Sequence, residues 1–494
     1  MDEKSLQPTL RPRRDSLDGE SPEHEVNDRA LYRKIDRRVV PLLFLVYFLQ
    51  FLDKVVVNYA NLMGIQKDLG MKGNDFSWMA TAFFIGFGIA EFPQGALVQR
   101  YPVSKVLSAN VFLWGVILCC SAACVNFAGI LACRIALGVC EAVIGPALIM
   151  ITSTWYTKDQ STPRYGLWYC GLGTGQIIGG IISFGAQHAP ASLSFAGWRI
   201  MFVCVGVANV IAAFLCLALL PSTASAAPFL SAAEKALIAR RLAADRAGTG
   251  AKVFSRRGAV SVFADAQTWL LALLALLTTT PSGVITTYSS ILIKDFGYTP
   301  KQSALLNTPS GLISITATLL TTFSIVRGWQ RTTAIALILL PALLGAGLMS
   351  FLPGNKPGSL AGIYLVNCTT APLVLVYALV GANYHLAGGY TKKVTAAAVV
   401  LVSFSLGNVV GPQTFQARDA PSYLPAKVTV LAVEAAAVVV ALALRALYVW
   451  RNRRADREGD GPAGCAVERR AWRKGRRGAM AGGDEMDAGF RYVL

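Results

Sequence analysis

Charge is scarce in this sequence: of 494 residues only 15% are Asp, Glu, Lys or Arg, against about one quarter in a soluble globular chain. Histidine is rarer still, with three in the whole chain, and no Cys/His spacing matches a zinc site. The apolar stretches hold neither a nucleophile–base set nor a metal cluster, so the chain is not read as an enzyme and no catalytic or metal-binding residue is assigned. The ten cysteines supply no disulfide framework. Cys119, Cys120, Cys133 and Cys140 fall within apolar runs, where cysteine behaves as a small buried hydrophobe. An early apolar core of the secretory type is missing too, and residues 1–38 are expected to form a polar, disordered tail.

What the sequence has instead is oil. Hydrophobic residues make up 54% of it and the mean hydropathy is +0.48. Apolar runs of about 20 residues recur, long enough to cross a hydrocarbon core of roughly 30 Å. Twelve spans are predicted. Six lie near Val39–Ala60, Phe76–Val98, Val103–Cys124, Phe127–Ile149, Tyr165–Ala186 and Trp198–Leu220. Six more lie near Ala266–Ile291, Ala304–Val326, Thr332–Leu352, Gly358–Val380, Val394–Val410 and Val428–Trp450. The fold class expected is all-α, a polytopic membrane protein with two six-helix bundles at 39–220 and 266–450. A central loop at 221–265 separates them and a tail at 451–494 follows. Within the loop, Ser231 and Glu234 form a capping-box pattern that predicts a short helix over Ser231–Asp245.

The formal net charge of +18 could suit a nucleic acid, but the basic residues flank spans and no nucleic-acid motif accompanies them. They crowd into alternate loops: Arg29 to Arg38, Arg100, Lys158, Arg164, Arg240 to Arg257, Arg327, Arg331, Lys392, Lys393 and Arg451 to Arg454. By the positive-inside rule that side is cytoplasmic and both termini lie on it. Six spans, a basic linker and six more spans suit alternating access around a site near the midplane. His188 and His385 fall at predicted loops or span ends and are read as solvated. GLGTGQIIGG, Gly171–Gly180, lacks the strand and spacing of a nucleotide fingerprint. Its small residues are expected to let helices approach closely.

Few ionisable residues fall inside the spans: Asp53, Lys54, Glu91, Arg134, Glu141 and Glu434. A charge at the bilayer centre costs about 2.5–3.5 kcal/mol even on the gentler insertion scales, so such residues face the bundle interior. Asp53 lies about twelve residues beyond Pro41, roughly 18 Å from the cytoplasmic end at 1.5 Å per residue. Arg134 lies on a span running the other way, roughly 10 Å below its outer end, so the two heights nearly coincide. Glu141 follows almost two turns later on nearly the same face. With all four of Asp53, Lys54, Arg134 and Glu141 charged, the set is neutral. A proton taken by one carboxylate leaves it positive and ready for an anion. Either this set lies on a transport pathway or it stitches helices together, and buried ion pairs are poor sources of stability, which favours the pathway. Glu434, alone in an Ala/Val-rich span, reads as structural; Glu91, just before Phe92–Pro93, as a bending, gating or contact residue.

RKIDRRVVPLLFLVYFLQFLDKVVVNYA, NDFSWMATAFFIGFGIAEFPQGALVQRYPVSK and NFAGILACRIALGVCEAVIGPALIMITSTWY resemble the major facilitator superfamily. Within it they are similar to the anion:cation symporter family and its fungal allantoate-permease branch, as are NCTTAPLVLVYALVGAN, GNVVGPQTFQARDAPSYLPAK and the closing FRYVL. The resemblance implies a major facilitator fold and proton-coupled uptake of a small organic anion, such as allantoate, ureidosuccinate or a short peptide. It implies no cofactor beyond the proton gradient. Lys54 and Arg134 would hold the substrate carboxylate, Asp53 and Glu141 would carry the proton, and Gln176 and Asn383 would add polar contacts. The expected partners are the anion, protons and the lipid bilayer, for a monomer in the plasma membrane. Two other functions stay open, an exporting proton/solute antiporter and a transport-inactive nutrient sensor. The pattern departs from the family at Lys54, where many members have Arg, at Gln99, where the superfamily loop carries Asp, and at Tyr384–Leu386, which read as an insertion.

Overall fold

The computed structural model describes residues 28–188, 196–246, 256–352, 354–384, 389–420, 422–459 and 492–493. The tail expected over 1–38 lies outside the described residues up to 27, as do His385, Leu386 and nearly all of 460–494. Among the described residues, twelve helices are long and apolar enough to cross a membrane. The first bundle uses Asp28–Leu62, Asp75–Arg100, Val103–Ser121, Phe127–Trp155, Pro163–Ala186 and Gly197–Leu219. The second uses Ala266–Asp295, Pro300–Val326, Arg331–Phe351, Lys356–Asn383, Thr391–Gln413 and Leu424–Arg457. The helix that carries the first span extends back to Asp28, because DRALYRKIDRR continues it with Leu31, Tyr32 and Ile35 buried along it.

An even number of crossings puts Asp28 and Arg457 on one face, called here the terminus-bearing face. The two bundles repeat one packing plan. In the first bundle, span one packs on span five, two on four and three on six; in the second, seven packs on eleven and nine on twelve. Between bundles, span two meets eleven and five meets eight, while one faces seven. Adding six to each member of the two–eleven pair, counted cyclically, returns the five–eight pair. That is the signature of two parallel repeats about an axis along the membrane normal.

Glycine sets the close approaches. In the Gly-rich run of span five, Gly171 and Gly175 lie against the backbone of the first span at Phe44–Leu52, and Gly173 faces span eight. A Cβ on Gly173 would lie 2.3 Å from the Gly311 carbonyl oxygen, so only glycine permits this crossing.

Among the described residues four spans are interrupted, and proline explains three of the breaks. The fourth breaks at Ala142–Val143, between helices Phe127–Glu141 and Ile144–Trp155. Pro146 lacks the N–H that would bind the Ala142 carbonyl. The eighth breaks at Asn307, two residues before Pro309, and the tenth passes through a 3₁₀ turn at Asn367–Thr370 before Pro372. The fifth breaks at Cys170. Glu91 is buried and Pro93 is accommodated inside an unbroken second span.

The central segment forms the helix Ala232–Arg246, capped by Ser231 and Glu234 through bonds of 2.7 and 3.2 Å. It is clasped to the first span by Lys34 on Glu234 at 2.9 Å and by Arg241 on Asp28. Partial burial pushes the Glu234 carboxyl up, but hydrogen bonds from Lys34 and Ser231 outweigh it and hold the group below its ordinary range.

Candidate transport site

Midway along the first bundle, the first and fourth spans face each other with their charges. Arg134 Nη1 lies 3.6 Å from Asp53 Oδ2, and Lys54 Nζ donates to Glu141 Oε2 at 3.1 Å. Asp53 and Glu141 are wholly buried and Arg134 nearly so, while the Lys54 side chain keeps 13% of its surface exposed. Span two packs closely on the same face of span four: a Cβ on Gly138, between Arg134 and Glu141, would lie 2.1 Å from the Phe83 carbonyl oxygen. Phe83 then sits under both cations, 5.3 Å from Lys54 and 6.0 Å from Arg134, with Phe87 and Phe202 beside them. Aromatic faces attract desolvated cations without neutralising them.

The pairs leave hydrogen-bonding capacity over. Arg134 Nε and Nη2, both Asp53 oxygens and Glu141 Oε1 are buried with no hydrogen-bond partner. A buried donor in that condition costs about 1–3 kcal/mol. Two guanidinium N–H groups in a planar fork suit the two oxygens of a carboxylate.

Toward the face opposite the termini, the seam between bundles is stitched by neutral groups. Asn58 donates to Ser289 at 2.7 Å and accepts from the Ser290 N–H at 3.2 Å. Asn307, at the break in span eight, donates to Ser289 and to the Tyr59 hydroxyl at 3.0 and 3.1 Å. Gln176 belongs to this set: its amide donates to Asn307 at 3.4 Å and its Oε1 is buried without a partner. Further along the same side, Ser77 bonds the Tyr288 hydroxyl at 2.5 Å and Gln413 donates to Thr81 at 2.9 Å. On the other side of the ionic cluster, Tyr47 packs on Trp168 and Tyr169, and Tyr169 donates across the seam to the Thr370 carbonyl at 3.1 Å.

Four of the six site residues expected from sequence are therefore brought together, a fifth lies on the seam, and Asn383 stands apart. Its side chain donates to the Val493 carbonyl at 3.2 Å and accepts from the Val493 N–H at 2.9 Å, at the terminus-bearing end of the second bundle. Of the reading of Tyr384–Leu386 as an insertion, Tyr384 is described, buried, with its hydroxyl 2.6 Å from that of Thr268. Gln99 is exposed. His188 is exposed with Nδ1 2.8 Å from the Phe184 carbonyl oxygen. Glu434 is fully buried opposite Cys368 and Thr369 of the tenth span's 3₁₀ turn. Sequence reasoning missed the seam of Asn58, Ser289, Ser290 and Asn307. The available signal was polar density: TTTPSGVITTYSS is too rich in hydroxyls for a lipid-facing helix. Among the described residues no group of three or more His, Cys, Asp or Glu side chains could hold a metal ion.

Residues 43–412 match the family model described as Major Facilitator Superfamily. The chain belongs to the major facilitator superfamily. It is 33% identical to the thiamine pathway transporter of Saccharomyces cerevisiae over 89% of this chain and 83% of that one. It is 30% identical to the allantoate permease of the same yeast over 87% and 81%. Among solved structures it resembles the proton:xylose symporter XylE with a TM-score of 0.67 at 14% identity, covering 85% of this chain and 96% of that one; this likeness shows the fold. As a member of the superfamily the protein is a secondary active transporter rather than an enzyme, and the twelve-span, two-bundle architecture expected from the sequence is the one found.

Proposed function

We propose that the protein is an anion:cation symporter of the allantoate-permease type, importing a small organic carboxylate together with protons by alternating access. One observation carries this reading: a balanced, buried ionic cluster in which Arg134 keeps two N–H donors without partners. An incoming carboxylate accepts from Arg134 and Lys54. Asp53 and Glu141, relieved of those cations, take up the accompanying protons, so anion and proton enter together. Gln176 contacts the solute from the seam as the bundles close. Asn383 is set aside from the binding set, since its amide already holds Val493. The similarity to the allantoate permease supports a ureide or related carboxylate as solute. The terminus-bearing face is taken as cytoplasmic from its basic residues, and the membrane as the plasma membrane, with the monomer as the working unit.

The test is uptake of labelled allantoate, ureidosuccinate and a dipeptide by permease-deficient yeast supplied with this chain, at several external pH values. Accumulation of one of them that rises as the medium is acidified is the expected result. Efflux against a gradient would establish an exporter instead, and saturable binding with no net flux a sensor.

A further inference from the structure

At the terminus-bearing end of the second bundle, two residues from well past the last span are held by side chains. Asn452 accepts from the Tyr492 N–H at 2.8 Å and donates to its carbonyl at 3.0 Å. Asn383 does the same for Val493, at 2.9 and 3.2 Å. The Tyr492 ring stacks on Tyr448 at 5.5 Å with 12° between planes, and Arg451 Nη1 donates to its hydroxyl at 3.3 Å. Arg451 is itself held by Asp265 at 2.6 Å. Two side-chain amides that each grip both backbone groups of a residue imitate a neighbouring strand, the usual means by which an extended peptide is bound. The flat ring against Tyr448 supplies the side-chain recognition.

The grip ties three helices together: the start of span seven through Asp265, the end of span ten through Asn383, and span twelve through Tyr448, Arg451 and Asn452. Of these three spans, ten is the one whose α-helix is interrupted, as at a hinge. Its 3₁₀ turn at Asn367–Thr370, followed by Pro372, separates Pro372–Asn383 as its own short helix. That half-helix packs against Lys158–Tyr169 of the first bundle. It is thus hinged at mid-membrane, lies on the seam, and is tied at its far end by Val493.

We propose that this end of the second bundle is a peptide-binding site, filled in cis by Tyr492–Val493, and that its occupation restrains Pro372–Asn383 against opening of the seam at the terminus-bearing face. The idea rests on the two-bundle transporter architecture and is independent of which solute is carried.

The test uses the full chain in open membrane sheets with a Gly381→Cys reporter, where a Cβ meets nothing within 4 Å. The labelling rate by a maleimide is read against the same chain without the reporter. Asn452→Ala and Tyr492→Ala should each raise the rate at the reporter by about three- to tenfold, as expected when one or two hydrogen bonds restraining an opening are lost. A chain truncated after Gly489 should show the same rise, and the synthetic peptide Phe-Arg-Tyr-Val-Leu added in trans should return the rate to that of the intact chain. Tyr492→Phe, which keeps the stack and both backbone pairs, should give a smaller rise. Unchanged labelling in the two alanine variants and in the truncated chain would overturn the proposal. So would a raised rate in the truncated chain that the peptide does not reverse.

Discussion

The first bundle carries Asp53, Lys54, Arg134 and Glu141 at mid-membrane, whereas the second meets the seam, toward the face opposite the termini, with hydroxyls and an amide: Ser289, Ser290 and Asn307, with Glu434 turned into its own interior. Both bundles follow one packing plan, so the difference lies in chemistry and not in architecture. Its consequence is mechanical. Neutral hydrogen bonds across the seam are worth about 0.5–1.5 kcal/mol each net, because water replaces them when the bundles part. An ion pair across the seam would cost about 3–5 kcal/mol to break by leaving a charge uncompensated. Keeping all four ions in one bundle lets the seam open without separating them.

The largest effect on this contrast is expected from Arg134→Ala, which should lower uptake on the order of a hundredfold or more, since truncation leaves Asp53 buried and unpaired. The double variant Arg134→Ala/Asp53→Asn removes both charges and should keep membrane abundance at the parental level without restoring uptake. Recovery of uptake as well would reduce the pair to a helix stitch. Glu141→Gln should abolish accumulation driven by an imposed proton gradient while substrate exchange persists in reconstituted vesicles; pH-dependent accumulation at the parental level would remove Glu141 from the coupling role.

Next in size is the seam. Asn307→Ala loses two bonds across the seam, with Tyr59 and Gln176, and should shift the balance of the two orientations by about 1–3 kcal/mol. Cysteine accessibility at the face opposite the termini reads this directly, and no change would mean that the seam bonds do not hold that face closed. Glu434→Gln keeps shape and burial and should leave proton-driven accumulation essentially unchanged. A loss of coupling there would break the division of labour between bundles.

The smallest effect concerns the clasp between Lys34 and Glu234. A carboxyl held below its ordinary range contributes stability that is fully present above its unfolded value, and that is lost as pH falls through the lower folded value. Near neutral pH the clasp is therefore intact. Glu234→Gln should change thermal stability by less than about 1 kcal/mol at neutral pH, as for other accessible ion pairs, and by nothing measurable once the medium is acid enough to protonate Glu234 in both states.

Much of this was legible along the chain. Hydropathy marked all twelve spans, SAAE marked the cap of the central helix, and the glycines of span five marked close helix contacts. Counting heights from opposite ends placed Asp53 level with Arg134, and the structure pairs them. The pairing of Lys54 with Glu141 was not legible, because it depends on how span four is turned toward span one, and the local pattern shows only that Gly138 lets span four approach span two at Phe83. Nor was the partner of Asn383, since contact with Val493 follows from a return of the chain that no local pattern encodes. Breaks in spans four, eight and ten could have been read from Pro146, Pro309 and Pro372, although proline alone does not break span two at Pro93.

The sequence alone determined that this chain crosses a membrane twelve times as helices, because hydrocarbon leaves every backbone N–H and C=O to be satisfied within its own segment. It also determined which ions would be buried, by placing them inside spans. Tertiary structure decided which of them meet and which bundle owns them. Between helices in lipid the hydrophobic effect gives no preference, and small-residue contacts and polar partners choose the faces that touch.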